Sequence, residues 1–217
     1  MSSQTLIRWS GLALIIAGLI YIIFQPLHPA ESDPGAALNP LWAVVHYAVT
    51  VHHLLVVVGL VGLYLAQAEQ VGRLGLIGFI AALLANAYWV GGAIDEALFY
   101  PYLAAQQATP TPPFELFDPA GPLGVYLVLV LVALVVWDLG SILTGYTTMR
   151  VGVLPRWGGL LLIVGNVVLN VGAFVPGIYF VKIIGGVLMG IAYAWLGYAL
   201  WAQKGEARAA MQPQMVK

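Results

Sequence analysis

The chain has 217 residues, 61% of them hydrophobic and 8% charged, with a mean hydropathy of +0.93; a soluble domain carries about 25% charged residues, so water is excluded as the solvent for most of this surface. Eight Lys and Arg against nine Asp and Glu leave a formal charge of −1, which offers no basic field for nucleic acid. The absence of cysteine removes disulfides, thiolate metal centres, iron–sulfur clusters and a Cys nucleophile together.

A helix needs roughly 20 apolar residues to cross a bilayer core, and runs of that size fall at 6–26, 41–66, 73–98, 122–147, 157–175 and 178–202. The expected fold is therefore all-α, a polytopic transmembrane bundle of six spans forming one domain over 1–203, with a short cytoplasmic tail at 204–217. The first run is too long for a signal-peptide core and no small-residue cleavage pattern follows it, so it reads as a retained span. Breakers punctuate the connections: Pro26, Pro29, Pro34 and Pro40 after span 1, Pro101 to Pro122 after span 3, Pro155 before span 5, and Pro176-Gly177 before span 6.

Positive charge sets the orientation. Arg8, Arg73, Arg150, Arg156, Lys204, Arg208 and Lys217 share one side, leaving Lys182 on the other, while Glu31, Asp33, Asp95, Glu96, Glu115 and Asp118 collect opposite the arginines and Glu69 and Glu206 beside them. Both termini are expected in the cytoplasm. Trp42, Tyr100, Tyr102 and Tyr179 mark the outer interface, and Trp9, Tyr64, Tyr146, Trp157 and Trp201 the inner one. Arg8-Trp9-Ser10-Gly11-Leu12 recurs as Arg156-Trp157-Gly158-Gly159-Leu160, and span 3 opens with Arg73-Leu74-Gly75. Three repeated helical hairpins would give this pattern, and so would the preference of any entering span for Arg and Trp at the interface. Gly11, Gly18, Gly75, Gly78, Gly158, Gly159, Gly165, Gly186 and Gly190 mark packing seams where backbones approach closely.

Polar groups in hydrocarbon need a partner or a water-filled cavity. His46, Thr50 and His53 in span 2 recur at i, i+4, i+7 and form one stripe, with His52 turned about 100° away. Asp95 and Glu96 end span 3 at about the depth of His46 and His28. Imidazole and carboxylate together suit Zn, Fe or Mn, so His28, His46, Asp95 and Glu96 are candidate metal ligands, although no HExxH or comparable spacing supports them. The plainer reading is a His46–carboxylate hydrogen bond that ties two helices. Haem is disfavoured, because three of the four histidines lie on one helix. Asp138 lies well inside span 4 and should be paired or neutral; by depth His52 or His53 is its expected partner, which would make a proton-accepting pair, and a tie to Trp137, Ser141 or backbone is the bland alternative. Asn166 and Asn170 share a face of span 5, and Asn86 lies at similar depth in span 3, as interhelical glue or ligand contacts. Lys182 is expected to neutralise Asp95, Glu96 or Asp118, or else to snorkel. The Ala108–Pro119 stretch reads as polyproline followed by an amphipathic turn, either a lid over the outer mouth or a spacer. No nucleophile elbow, phosphate loop or dinucleotide fingerprint is present.

Gly59-Leu60-Val61-Gly62-Leu63-Tyr64, Arg73-Leu74-Gly75-Leu76-Ile77-Gly78-Phe79 and Leu154-Pro155-Arg156-Trp157-Gly158-Gly159-Leu160 resemble segments of uncharacterised small multi-span bacterial membrane proteins. The resemblance implies a prokaryotic plasma membrane and no particular activity. From the residues, the expected function is membrane-embedded binding or an accessory role, with a polar pocket open to the outside and lined by His46, His53, Asn86, Glu96, Asn170 and Lys182. Two alternatives stand beside it: a metal-dependent membrane enzyme, and a proton-coupled transporter of a small solute through Asp138. Expected partners are the lipid bilayer and other membrane subunits or copies of the chain.

Overall fold

The computed structural model describes residues 2–116, 120–121, 124–175 and 177–202. Among these it is wholly helical, with α1 at Ser3–Phe24, α2 at Pro40–Leu65, α3 at Ala68–Ala105, α4 at Gly124–Val151, α5 at Arg156–Phe174 and α6 at Tyr179–Ala202. All six are long and apolar enough to cross a membrane. The expected tail at 204–217 lies outside the described residues, as do Asp118, Pro119, Pro122 and Pro176.

Local chemistry explains where the helices begin. The Ser2 hydroxyl accepts from the Thr5 amide at 3.2 Å before α1, and the Asn39 side chain accepts from Leu41 at 2.9 Å before α2, which opens with Pro40. Helix α3 contains a break at Gly72, whose φ of 61° and ψ of −160° set Ala68–Val71 apart as a leading turn. Only glycine adopts that backbone cheaply, and the continuous helix starts at the expected Arg73. At its other end α3 outruns the expected stop at 98 and continues through Pro101 to Ala105. Proline there removes one amide donor to the Ala97 carbonyl, and packing compensates: Tyr100 and Ala104 are buried with Ala36, Ala37, Trp42 and Leu116.

The six helices form a closed ring. Each packs antiparallel on its neighbour in sequence, and α6 returns to pack along α1. The closing seam is made of glycines: a Cβ built on Gly11 would lie 2.6 Å from the Gly197 carbonyl oxygen, and one on Gly190 would lie 2.7 Å from that of Gly18. Backbones therefore touch at two points one heptad apart. Because the start of α1 meets the end of α6, Arg8, Arg73, Arg150 and Arg156 all sit at the same end of the ring. The core between the helices is apolar around Leu14, Val56, Leu60, Trp137, Tyr193 and Leu196, whereas large side chains such as Leu84, Val125 and Val132 face outward. An apolar exterior suits lipid as the surrounding medium.

Candidate functional site

A cavity of about 110 Å³ lies on the axis of the ring, toward the end that carries the α1–α2, α3–α4 and α5–α6 connections. All six helices contribute to its wall. One water takes roughly 10–15 Å³ of such space, so the cavity holds several waters or a small ligand. A second space of about 260 Å³ shares Glu31, Ala173 and Phe174 with it and adds Pro112, Glu115 and Tyr179. This vestibule is bounded by the first and third connections, which the Gly35 amide joins by donating to the Thr111 carbonyl at 3.1 Å. Leu116, on a short 3-10 turn at Pro113–Leu116, anchors the third connection beside Trp42. The described part of the proline-rich stretch thus borders the mouth.

Helix α2 supplies the histidine stripe. The His46 Nδ1–H donates to the Trp42 carbonyl at 2.7 Å, and its Nε2 faces Glu96 Oε2 at 3.1 Å. With Nδ1 committed as donor, a hydrogen bond across the second gap requires a proton on one of the two partners. Trp42 locks the same corner, its indole N–H reaching the Glu96 backbone carbonyl at 2.7 Å. One stripe position deeper, His53 Nδ1–H donates to Asn86 Oδ1 at 2.8 Å, and the Asn86 amide nitrogen donates to the Ala82 carbonyl at 2.8 Å. That chain of bonds orients the Asn86 amide and leaves His53 Nε2 as an acceptor on a cavity-lining ring.

Across the cavity the Lys182 ammonium pairs with Glu31 Oε1, and His28 Nε2 stands 3.7 Å from the same oxygen. His28 Nδ1 is held by the Pro29 carbonyl at 2.7 Å and the Tyr179 hydroxyl at 2.9 Å. Burial and then the neighbouring Lys182 ammonium push the His28 imidazole from its ordinary 6.5 down to about 3. Burial by itself would raise the Glu31 carboxyl, but the Lys182 ammonium together with the neighbouring His28 and His46 outweighs it and holds the group below its usual range. The wall is therefore neutral His28, an ion pair, and a proton-sharing His–Glu contact.

Of the six residues expected to line a pocket, His46, His53, Glu96, Asn170 and Lys182 do so, and Asn86 stands behind His53 as its hydrogen-bond partner. The expected metal set does not assemble: His28 and His46 meet edge to face at 4.9 Å, but Asp95 is not on the cavity wall. Among the described residues no three His, Asp or Glu side chains converge to hold a metal ion. The ammonium of Lys182 on the same wall further opposes a cation. Two pairings expected by depth are replaced by others. Lys182 neutralises Glu31 rather than Asp95 or Glu96, because the turn after α1 places Glu31 over α6. Asp138 accepts at Oδ1 from the Asn166 and Asn170 amides, at 2.9 and 2.8 Å, rather than from His52 or His53. His52 instead points at α1, donating to the Ala17 carbonyl at 2.9 Å and stacking on Tyr21 at 4.2 Å.

Sequence reasoning missed Gln25, Trp89 and Trp137. All three line the cavity, and Gln25 Oε1, Trp89 Nε1 and Trp137 Nε1 are buried without a hydrogen-bond partner. The available signal was positional: Trp89 and Trp137 lie within spans, away from the aromatic belts where tryptophan usually sits. The chain matches no protein-family model, no curated protein and no solved structure.

Proposed function

We propose that the protein is a membrane-embedded receptor for a small uncharged molecule bearing carbonyl or hydroxyl oxygens. The observation that carries this reading is the set of unpartnered polar atoms on residues that line the cavity, the indole N–H groups of Trp89 and Trp137 and the carbonyl of Gln25. A buried donor without an acceptor costs about 1–3 kcal/mol, so an occupant that supplies the missing partners recovers that energy on binding. The charged groups argue for an uncharged occupant, since Lys182 with Glu31 and His46 with Glu96 already satisfy one another. Aliphatic and aromatic neighbours such as Val49, Leu134 and Leu169 add a modest apolar surface for its body.

The arginine-rich end of the ring faces the cytoplasm on this reading, in a prokaryotic plasma membrane, and the cavity opens to the outside. The natural chain lacks cysteine, so single cysteines placed at the exposed Ser32 and Gln70 can be labelled in intact cells by an impermeant maleimide. Labelling at position 32 alone is expected; labelling at position 70 alone reverses the orientation. Ligand class is tested by thermal unfolding of purified protein against panels of small alcohols, amides, ketones, carboxylates and amines. Stabilisation by uncharged compounds, weakened in Trp137→Phe, is expected. Stabilisation by carboxylates or amines alone would sink the reading.

A further inference from the structure

The cavity wall continues into a second polar site between α4 and α5. Asn170 belongs to both: it lines the cavity, and its amide nitrogen donates to Asp138 Oδ1 at 2.8 Å and to the Asn166 carbonyl at 3.0 Å. Those two acceptors fix which way the Asn170 amide points. Asn166 differs. Its nitrogen donates to Asp138 Oδ1 at 2.9 Å, while its Oδ1 is buried and meets no donor. The residue is 1% exposed, so bulk water does not relieve that oxygen.

A carboxylate beside two amide N–H groups is matched in its ionised form, and the orphaned oxygen has no role in that state. Protonation supplies one. A half-turn of the Asn166 amide presents its Oδ1 to a carboxylic O–H on Asp138 Oδ1, the oxygen to which the Asn170 N–H also donates. The Asp138 carboxyl then has hydrogen-bond partners with and without the proton, and the two arrangements differ in the orientation of the Asn166 amide beside the cavity-lining Asn170. Among the described residues Asp138 forms no ion pair. Helix α4 packs on α3 and α5, and the side chains hydrogen-bonded to Asp138 among the described residues are the two asparagines. The ionisable residues of α3 on the cavity side, Asp95 and Glu96, pair elsewhere or stand off the wall, and α5 offers no charge beyond Arg156 at the far end.

We infer that Asp138 and Asn166 form a binding site for one proton within the membrane, and that Asn170 links its occupancy to the cavity. Proton and cavity ligand are then bound interdependently, as a proton-coupled solute carrier or a pH-sensing receptor requires. The linkage rests on the cavity reading above; the proton site does not, and the two are tested separately.

Infrared difference spectra of the reconstituted protein, titrated from about pH 9 to about pH 4, read carboxyl protonation directly. A protonated-carboxyl band that vanishes in Asp138→Asn is expected. In Asn166→Ala its midpoint moves up by about one pH unit, because the lost bond to the ionised form is stronger than the lost bond to the protonated one. Melting of each variant in detergent checks that the ring is intact. A band set that is unchanged in Asp138→Asn overturns the proton site. Linkage is read with acrylamide, a small neutral quencher, on the fluorescence difference between wild type and Trp137→Phe. Quenching that follows the Asp138 midpoint and flattens in Asn170→Ala supports the link; quenching independent of pH overturns the link and leaves the proton site standing. A functioning proton site in a protein that no small molecule stabilises would place the failure in the ligand reading instead.

Discussion

The α1–α6 seam and the α4–α5 seam hold the same ring together by opposite means. Along α1–α6 the helices have shed side chains, so that Gly11 and Gly18 lie against Gly197 and Gly190 and the backbones themselves make the contact. Along α4–α5 one end repeats this device, with Gly145 against Gly159, but the other inserts Asp138, Asn166 and Asn170. A glycine seam gains dispersion energy and closure and can bind nothing. A polar seam gives up packing and retains hydrogen-bonding groups that can change partner. The contrast shows that ring closure and cavity chemistry are carried by separate helix pairs, with the ion pair at Lys182 joining them where α6 meets the first connection.

Breaking that junction should have the largest effect. Lys182→Met leaves Glu31 as a partly buried carboxylate without its ammonium, and since breaking a fully buried pair costs about 3–5 kcal/mol, a loss of about 2–4 kcal/mol is expected in thermal or denaturant unfolding. Adding Glu31→Gln to it should restore most of the loss, since replacing both charges is nearly neutral; a double variant as unstable as the single one would show that the ammonium has another role. Next comes the glycine seam. Gly190→Val drives a side chain into the Gly18 carbonyl and should cost about 1–3 kcal/mol or prevent closure, whereas Gly91→Val, where a side chain meets nothing within 4 Å, should be nearly silent.

Smaller effects sharpen the polar side. Asn166→Ala removes a hydrogen bond to a carboxylate and should destabilise by about 1.5–3 kcal/mol, offset in part by the loss of its orphaned oxygen. Acidification should act at the cavity end rather than at the glycine seam. Folded His28 stays neutral down to about pH 3 while the unfolded chain takes up its proton near 6.5, so stability is full at neutral pH and declines as pH falls through that window. Glu31 adds to the decline once pH drops below the usual carboxylate value of 4.5, because the unfolded state protonates first there too. The melting temperature should therefore fall on acidification from pH 7, less steeply in His28→Gln; an equal slope in that variant would remove His28 from the account.

Depth was legible in the sequence. The helix starts lie within three residues of the expected ones once the Gly72 break is counted, and of the six residues matched by depth all but Asn86 lie on the cavity wall, although Gln25 and Glu31 join them unforeseen. The extra length of α3 was not, because the penalty of Pro101 was read locally whereas its remedy is the packing of Tyr100 and Ala104 on the first connection. Partner choice was not legible either. A helical sequence sets how deep a side chain lies and how it is rotated relative to others on the same helix, but says nothing about which helix that face meets.

His52 and His53 show the limit well. Their angular separation is in the sequence, yet that one faces α1 and the other α3 follows only from the order of helices round the ring. Asp138 and Lys182 found partners through the same ordering, α5 for the first and the α1–α2 connection for the second. The sequence alone determined six helices long and apolar enough to cross a membrane, since its apolar runs have the roughly 20-residue length of a spanning helix rather than the about 9–11 alternating residues of a barrel strand. The closure of α6 on α1, and with it a single axial cavity, was decided only by tertiary packing, where glycines let two distant helices approach to backbone contact.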